Sequence, residues 1–197
     1  PRSNPGKPIT AWVYKPAKAT RDSRVVFVMT GVQRNAMEYR ENWIRHAEHH
    51  GFILVVPEFS RRHYPEDNDY TFGGVTQSNR DHWGFSTLER LFDEVRQRDE
   101  LAAARYTIYG HSAGGQFVHR LVLFLGETAR YDTAIAANSG WYSLPLHGEG
   151  PLFRFPLALD PHITPESSLP ALFTRRLVLM LGDQDIDAAH KSLNRSP

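Results

Sequence analysis

The chain has 197 residues, no cysteine and a formal net charge of +1, a length that supports one domain with a sizeable core. Its 41% hydrophobic and 23% charged residues are ordinary globular composition. The missing cysteines exclude disulfides, thiol nucleophiles and thiolate metal sites, and the even mixture of charges offers neither a nucleic-acid stripe nor a polybasic membrane anchor.

No apolar run reaches membrane-spanning length and no signal peptide is visible. The chain begins at Pro1 rather than at methionine, so removal of an N-terminal segment is expected. Along the chain, Ile9 to Tyr14 reads as a strand. Arg24 to Thr30 carries the continuous apolar run Val25, Val26, Phe27, Val28, expected of a strand covered on both faces. Asn35 is placed to cap a helix from about Ala36 to His50, stopped by Gly51. Phe52 to Val56 is a second buried strand, ended by Pro57, and a polar, aromatic loop follows from Glu58 to about Trp83. Ser86 and Glu89 have capping-box spacing ahead of a helix with Leu88, Leu91, Phe92 and Val95 on one face. Tyr106 to Tyr109 is a strand and Ala113 to Leu125 an apolar helix. Asp132 to Ala137 and Arg176 to Leu181 are further strands. Between those two, residues 139–175 are rich in proline and glycine and are expected to form a lid, with a short helix near Thr164-Pro165-Glu166. Strands alternating with helices predict an α/β fold with a doubly wound, mostly parallel sheet, whose ligands bind at the carboxyl ends of the strands.

Gly110-His111-Ser112-Ala113-Gly114 fits Gly-x-Ser-x-Gly, the strand-to-helix turn that lifts a nucleophilic serine to the rim of an α/β sheet. Side chains two residues before and after the serine would collide with neighbouring backbone, so both positions want glycine. The following helix points its N-terminus at the serine, where developing negative charge is favoured. The pentapeptide alone is a weak signal. The strand before it and the apolar helix after it make it specific.

A serine hydroxyl needs a base, an acid to orient that base, and donors for the oxyanion. In this fold the acid follows the nucleophile in the chain, at the end of the next strand but one. Here that strand runs into Gly182-Asp183-Gln184-Asp185-Ile186-Asp187. Asp185 is favoured, because a tight turn at Gly182 brings the third residue after it back over the sheet; Asp183 is the alternate. The alternating aspartates also resemble the start of a calcium loop, but its glycine and distal glutamate are missing, and no metal is expected. The oxyanion donors expected are backbone N–H groups of Ala113 and Val32, with Gln33 the alternate to Val32. Trp141, Tyr142, Gln33 and Trp83 are candidates for contact with the substrate. Only His190 follows Asp185 as a histidine, too soon for a further strand to deliver it. The expectation is therefore a C-terminally incomplete domain spanning residues 1–197, lacking its last strand and helix, with the base beyond Pro197 and His190 as fallback. His111 is expected to pack away from the reaction face.

Several spaced motifs carry a resemblance: Phe27-Val-Met-Thr-Gly-Val-Gln-Arg-Asn-Ala36, Leu54-Val-Val-Pro-Glu-Phe59, Tyr109-Gly-His-Ser-Ala-Gly-Gly-Gln-Phe-Val-His119 and Ala137-Asn-Ser-Gly-Trp-Tyr142. From about residue 8 to 187 the chain resembles bacterial poly(3-hydroxybutyrate) depolymerase-like and feruloyl-esterase-like α/β hydrolases. The resemblance implies a Ser-Asp-His triad with Ser112 as nucleophile and Asp185 as acid, no cofactor, a small or polymeric ester as substrate, and often export from the cytoplasm. It leaves oligomeric state open. The alternative is a hydrolase-fold protein that binds such a ligand without turnover; transfer of the acyl group to an alcohol is a weaker third.

Overall fold

The computed structural model describes residues 7–148 and 158–187. Six strands form one sheet: β1 (Thr10–Tyr14), β2 (Val25–Met29), β3 (Ile53–Glu58), β4 (Tyr106–His111), β5 (Tyr131–Ala137) and β6 (Leu177–Met180), in the spatial order β1-β3-β2-β4-β5-β6. β1 runs antiparallel to β3 and every other pairing is parallel. The helices are α1 (Ala36–His50), α2 (Asp67–Thr71), α3 (Gly84–Asp99), α4 (Ala113–Leu125) and α5 (Leu169–Phe173).

Alternation along β2 and β3 explains why both read as unbroken apolar runs. Val25, Phe27 and Met29, with Ile53 and Val55, join a large core that also takes the apolar residues of α3 and α4. Val28, Leu54 and Val56 face the other way, into a smaller core under α1 with Ala36 and Ala47. A strand covered on both faces has no polar side to show. Phe27 is fully buried and meets Tyr106 and Phe92 edge-on, with centroids 5.0 and 6.3 Å away. Truncating such a ring costs about 3–5 kcal/mol.

Two expected boundaries shift, and the expected cap at Asn35 does not form. β3 continues through Pro57 to Glu58: the pairing with β2 has ended at Val55, so the missing proline N–H costs no bond on that side. The capping box at Ser86 does not form. α3 begins earlier, where Gly84 N–H donates to Gly73 O (2.8 Å) and Thr87 N–H to Trp83 O (2.9 Å). Ser86 Oγ donates instead to Arg80 O, and Glu89 takes Arg130 and the Tyr106 hydroxyl. Asn35 makes no side-chain cap on α1; its amide donates to Glu38. The loop from 58 to 83 also holds α2 and a 3₁₀ turn at Arg80–His82. Among the described residues no helix is long and apolar enough to cross a membrane.

The described parts of the 139–175 segment lie against α4. Thr164 Oγ1 donates to Leu123 O, Leu159 N–H donates to Leu146 O, and Leu159 and Leu172 are buried.

Candidate active site

β4 delivers the chain to Ser112 and α4 takes it away at once. Ser112 sits at φ 57°, ψ −118°, a conformation that L-residues avoid. It holds because the neighbourhood over-determines it. Ser112 N–H donates to Ala137 O at the end of β5 (2.9 Å), and Gln116 N–H donates to Ser112 O (3.0 Å). The flanking glycines are required by close approach. A Cβ at Gly110 would strike the Gly114 carbonyl and lie 2.9 Å from Gly115 N, and one at Gly114 would strike Met29 O and lie 2.7 Å from Thr30 O.

Ser112 opens into a cleft of about 460 Å³, lined by Val32, Asp67, Asn68, Thr71, Phe72, Ala113, Gln116, Arg120 and Trp141. The turn after β2 that carries Val32 is pinned from several sides. Tyr70 OH donates to Thr30 O (2.9 Å), Gly31 N–H to the Tyr39 hydroxyl (3.1 Å), Arg34 N–H to Gly31 O (3.1 Å), and Arg61 to Val32 O (3.0 Å). Burial holds the Tyr70 hydroxyl protonated far above neutrality, so it remains a donor. Neither Val32 N–H nor Ala113 N–H has a protein acceptor among the described residues. Ala113 N–H belongs to the first turn of α4, where amide donors are left over and the helix dipole favours an anion.

At the other side of β5, Asn138 (φ 43°) ties the turn after β6 in place. Its N–H donates to Met180 O (2.8 Å), and its Oδ1 accepts from Gly182 N–H (2.8 Å). Asp185 N–H donates to Gly182 O (3.2 Å), closing a tight turn that returns Asp185 to the strand end. Both Asp185 and Asp183 are exposed. β6 lies two strands from β4, about 10 Å across the sheet.

The structure thus brings Val32, Ala113 and Trp141 to Ser112, with Val32 45% and Trp141 39% exposed. It does not bring the other three aromatic or amide candidates to the cleft wall. Trp83 is 2% exposed and its indole N–H donates to Gln77 O, because it caps α3 from inside the core. Tyr142 packs against His119, its ring 5.1 Å away, and is not among the lining residues. Gln33 is exposed on the turn beside Val32 and is not among the lining residues. His111 is exposed rather than packed. Among the described residues no histidine nitrogen is hydrogen-bonded to Ser112 Oγ; His190 lies outside them.

Residues 116–120 of α4 add features that the sequence reading passed over. His119 Nε2 accepts from Ser143 N–H (3.0 Å), so the proton sits on Nδ1, which faces Gly115 O at 3.0 Å. Burial, with the Arg120 charge adding to it, lowers its pKa to about 3, so the ring is neutral. Arg120 is 1% exposed. It donates from Nε to Ser143 Oγ (3.1 Å) and from Nη1 to Thr71 O (3.1 Å) and Gln116 Oε1 (3.0 Å), and its guanidinium lies 3.7 Å from the Phe72 ring centroid. Burial lowers its pKa to about 9, which still leaves it charged at neutral pH. The signal was available in the sequence: an arginine within a helix whose other residues, apart from Gln116 and His119, are apolar or glycine.

A mostly parallel sheet, a serine on a strained strand-to-helix turn and spare amide donors beside it define an α/β hydrolase. No protein-family model matches the chain, and no curated protein sequence matches it closely. Among solved structures, it is similar to poly(aspartic acid) hydrolase-1 from Sphingomonas sp. KT-1, with 38% identity over 98% of this chain and 74% of that one, TM-score 0.89. It is similar also to a poly(3-hydroxybutyrate) depolymerase from Bordetella parapertussis, with 34% identity over 94% of this chain and 63% of that one, TM-score 0.84. An S-formylglutathione hydrolase from Staphylococcus aureus shares the fold at 14% identity and TM-score 0.54. The chain belongs to the α/β-hydrolase family of these two polymer hydrolases.

Proposed function

We propose that the protein is a serine carboxylic-ester hydrolase that works through an acyl-enzyme on hydroxyalkanoate or aryl esters. Ser112 Oγ attacks the ester carbonyl. The N–H groups of Val32 and Ala113 hold the oxyanion, and the alcohol departs with the proton that Ser112 gave up; water then releases the acid. Asp185 orients the base, with Asp183 as alternate. The base is a histidine outside the described residues, with His190 only the fallback within this sequence. Trp141, from the described part of the 139–175 segment, forms a wall of the acyl site. The observation that carries the reading is the strained Ser112 backbone set beside two spare N–H donors. Strain of that kind persists where function holds it.

The test is hydrolysis of 4-nitrophenyl esters together with labelling by a fluorophosphonate. Wild type should show both, and Ser112→Ala neither. Activity that persists in Ser112→Ala would contradict the assignment. Ester binding with no acylation of wild type would identify a ligand-binding protein instead.

A further inference from the structure

A buried cation ordinarily has an anion beside it, because an uncompensated charge out of water is costly. Arg34, the other buried arginine near the cleft, follows the rule: its Nη2 lies 3.8 Å from Asp67. Arg120 does not. Among the described residues it has no carboxylate partner, and its protein acceptors are a hydroxyl, a carbonyl and an amide oxygen, all neutral. These occupy Nε and Nη1. Nη2 has no protein acceptor among the described residues, and the side chain forms part of the wall of the Ser112 cleft.

The placement is regular. Ser112, Gln116 and Arg120 follow one another at four-residue spacing, so they share one face of α4. Arg120 begins about 12 Å along the axis from Ser112, and a helical side chain leans back toward the N-terminus, shortening that span. Thr71, Phe72 and Gln116 fix the guanidinium from three sides, so little freedom remains to be lost when an anion binds. The one acid at the cleft wall, Asp67, is already engaged by Arg61 (3.2 Å) and Arg34.

We infer that Arg120 is a specificity-determining residue of the cleft, its guanidinium receiving a carboxylate carried on the acyl part of the substrate. The preferred substrates are then esters whose acyl group ends in a second carboxylate, that is, half-esters of dicarboxylic acids. The acyl part is assigned because it stays bonded to Ser112 during turnover, and Ser112 and Arg120 lie on the same helix face. The inference rests on the serine-hydrolase reading above.

The experiment compares mono-4-nitrophenyl adipate with its uncharged counterpart, 4-nitrophenyl hexanoate. Wild type should favour the adipate in kcat/KM by about tenfold or more, the scale of a charge-assisted hydrogen bond. Arg120→Gln should remove the preference and Arg120→Lys should keep part of it. No preference in wild type, or the same preference in a folded Arg120→Gln, overturns the inference. Should Arg120→Gln not fold, the wild-type ratio decides, with a preference that shrinks at high salt supporting the inference and its absence overturning it. Calorimetric binding of adipate to Ser112→Ala separates this from the hydrolase reading. If neither ester is cleaved, that reading falls. Adipate that binds Ser112→Ala and not Ser112→Ala/Arg120→Gln still supports Arg120, and adipate that binds both or neither overturns it.

Discussion

Gly114 presses its Cα against the backbone at the end of β2, so that a methyl group there would strike Met29 O and lie 2.7 Å from Thr30 O. The contact joins the Ser112 turn to the turn that carries Val32. Backbone cannot move aside as a flexible side chain can. Gly114→Ala should therefore destabilise by about 1–3 kcal/mol or more through overpacking, read as a fall in the urea midpoint. Gly140→Ala makes the control. A Cβ there meets only the end of the Gln116 side chain at 3.4 Å, and its cost should stay within about 0.5 kcal/mol. Equal costs for the two would refute the close-approach account.

Ser112 bears its strain in the backbone, so relieving that strain should stabilise the fold while ending the chemistry. Ser112→Gly should raise stability by about 1 kcal/mol, since glycine accepts φ 57° readily, and should be inactive on esters. Ser112→Ala, equally inactive, should gain less. A Ser112→Gly variant less stable than Ser112→Ala in chemical denaturation would show that the turn is not strained.

His119 makes stability depend on acid. Folded, its pKa lies at about 3 against an ordinary 6.5, first because of burial and then because of Arg120. Between those two values the unfolded chain binds the additional proton. Stability is thus unaffected by this group above about pH 6.5 and falls as pH drops toward 3, by up to about 1.4 kcal/mol per pH unit. Denaturant titrations from pH 7 to pH 4 should show the loss, and His119→Gln should flatten the slope. An unchanged slope in that variant would mean that other groups govern acid unfolding.

The two candidate acids on the turn after β6 differ in what the backbone does with them. Asp185 is returned to the strand end by its bond to Gly182 O; Asp183 is the residue that follows Gly182 directly. Asp185→Asn should lower kcat by about 10³–10⁴-fold, the scale seen when a triad acid loses its charge. Asp183→Asn should change kcat by less than about tenfold. A reversed order would move the role of acid to Asp183.

The sequence reading was strongest where one signal dominated. α1 and α4 begin and end where apolar periodicity and glycine place them, and β2 betrayed its two covered faces by having no polar residue. The Gly-x-Ser-x-Gly turn was legible because sterics leave few residues able to occupy it. The reading failed where a local signal met a tertiary competitor. Ser86 and Glu89 look like a cap, but Arg130, 41 residues away, takes the glutamate. Trp83 looked like an aromatic in a polar loop, and the packing of α3 drew it into the core. Arg120 was hidden for the opposite reason: inside a run of apolar residues its charge reads as an exception, until the fold sets it at the wall of a cleft.

β5 is the common rail between the two halves of the site. Its last carbonyl, at Ala137, holds the Ser112 turn on one flank, and the next residue, Asn138, holds the Gly182 turn on the other. Ser112 and the Gly182–Asp185 turn are therefore indexed to one short stretch of backbone rather than to the helices that pack around it. A displacement of β5 carries both turns with it and leaves their separation unchanged, whereas a change at Asn138 frees one turn and lets the two drift apart.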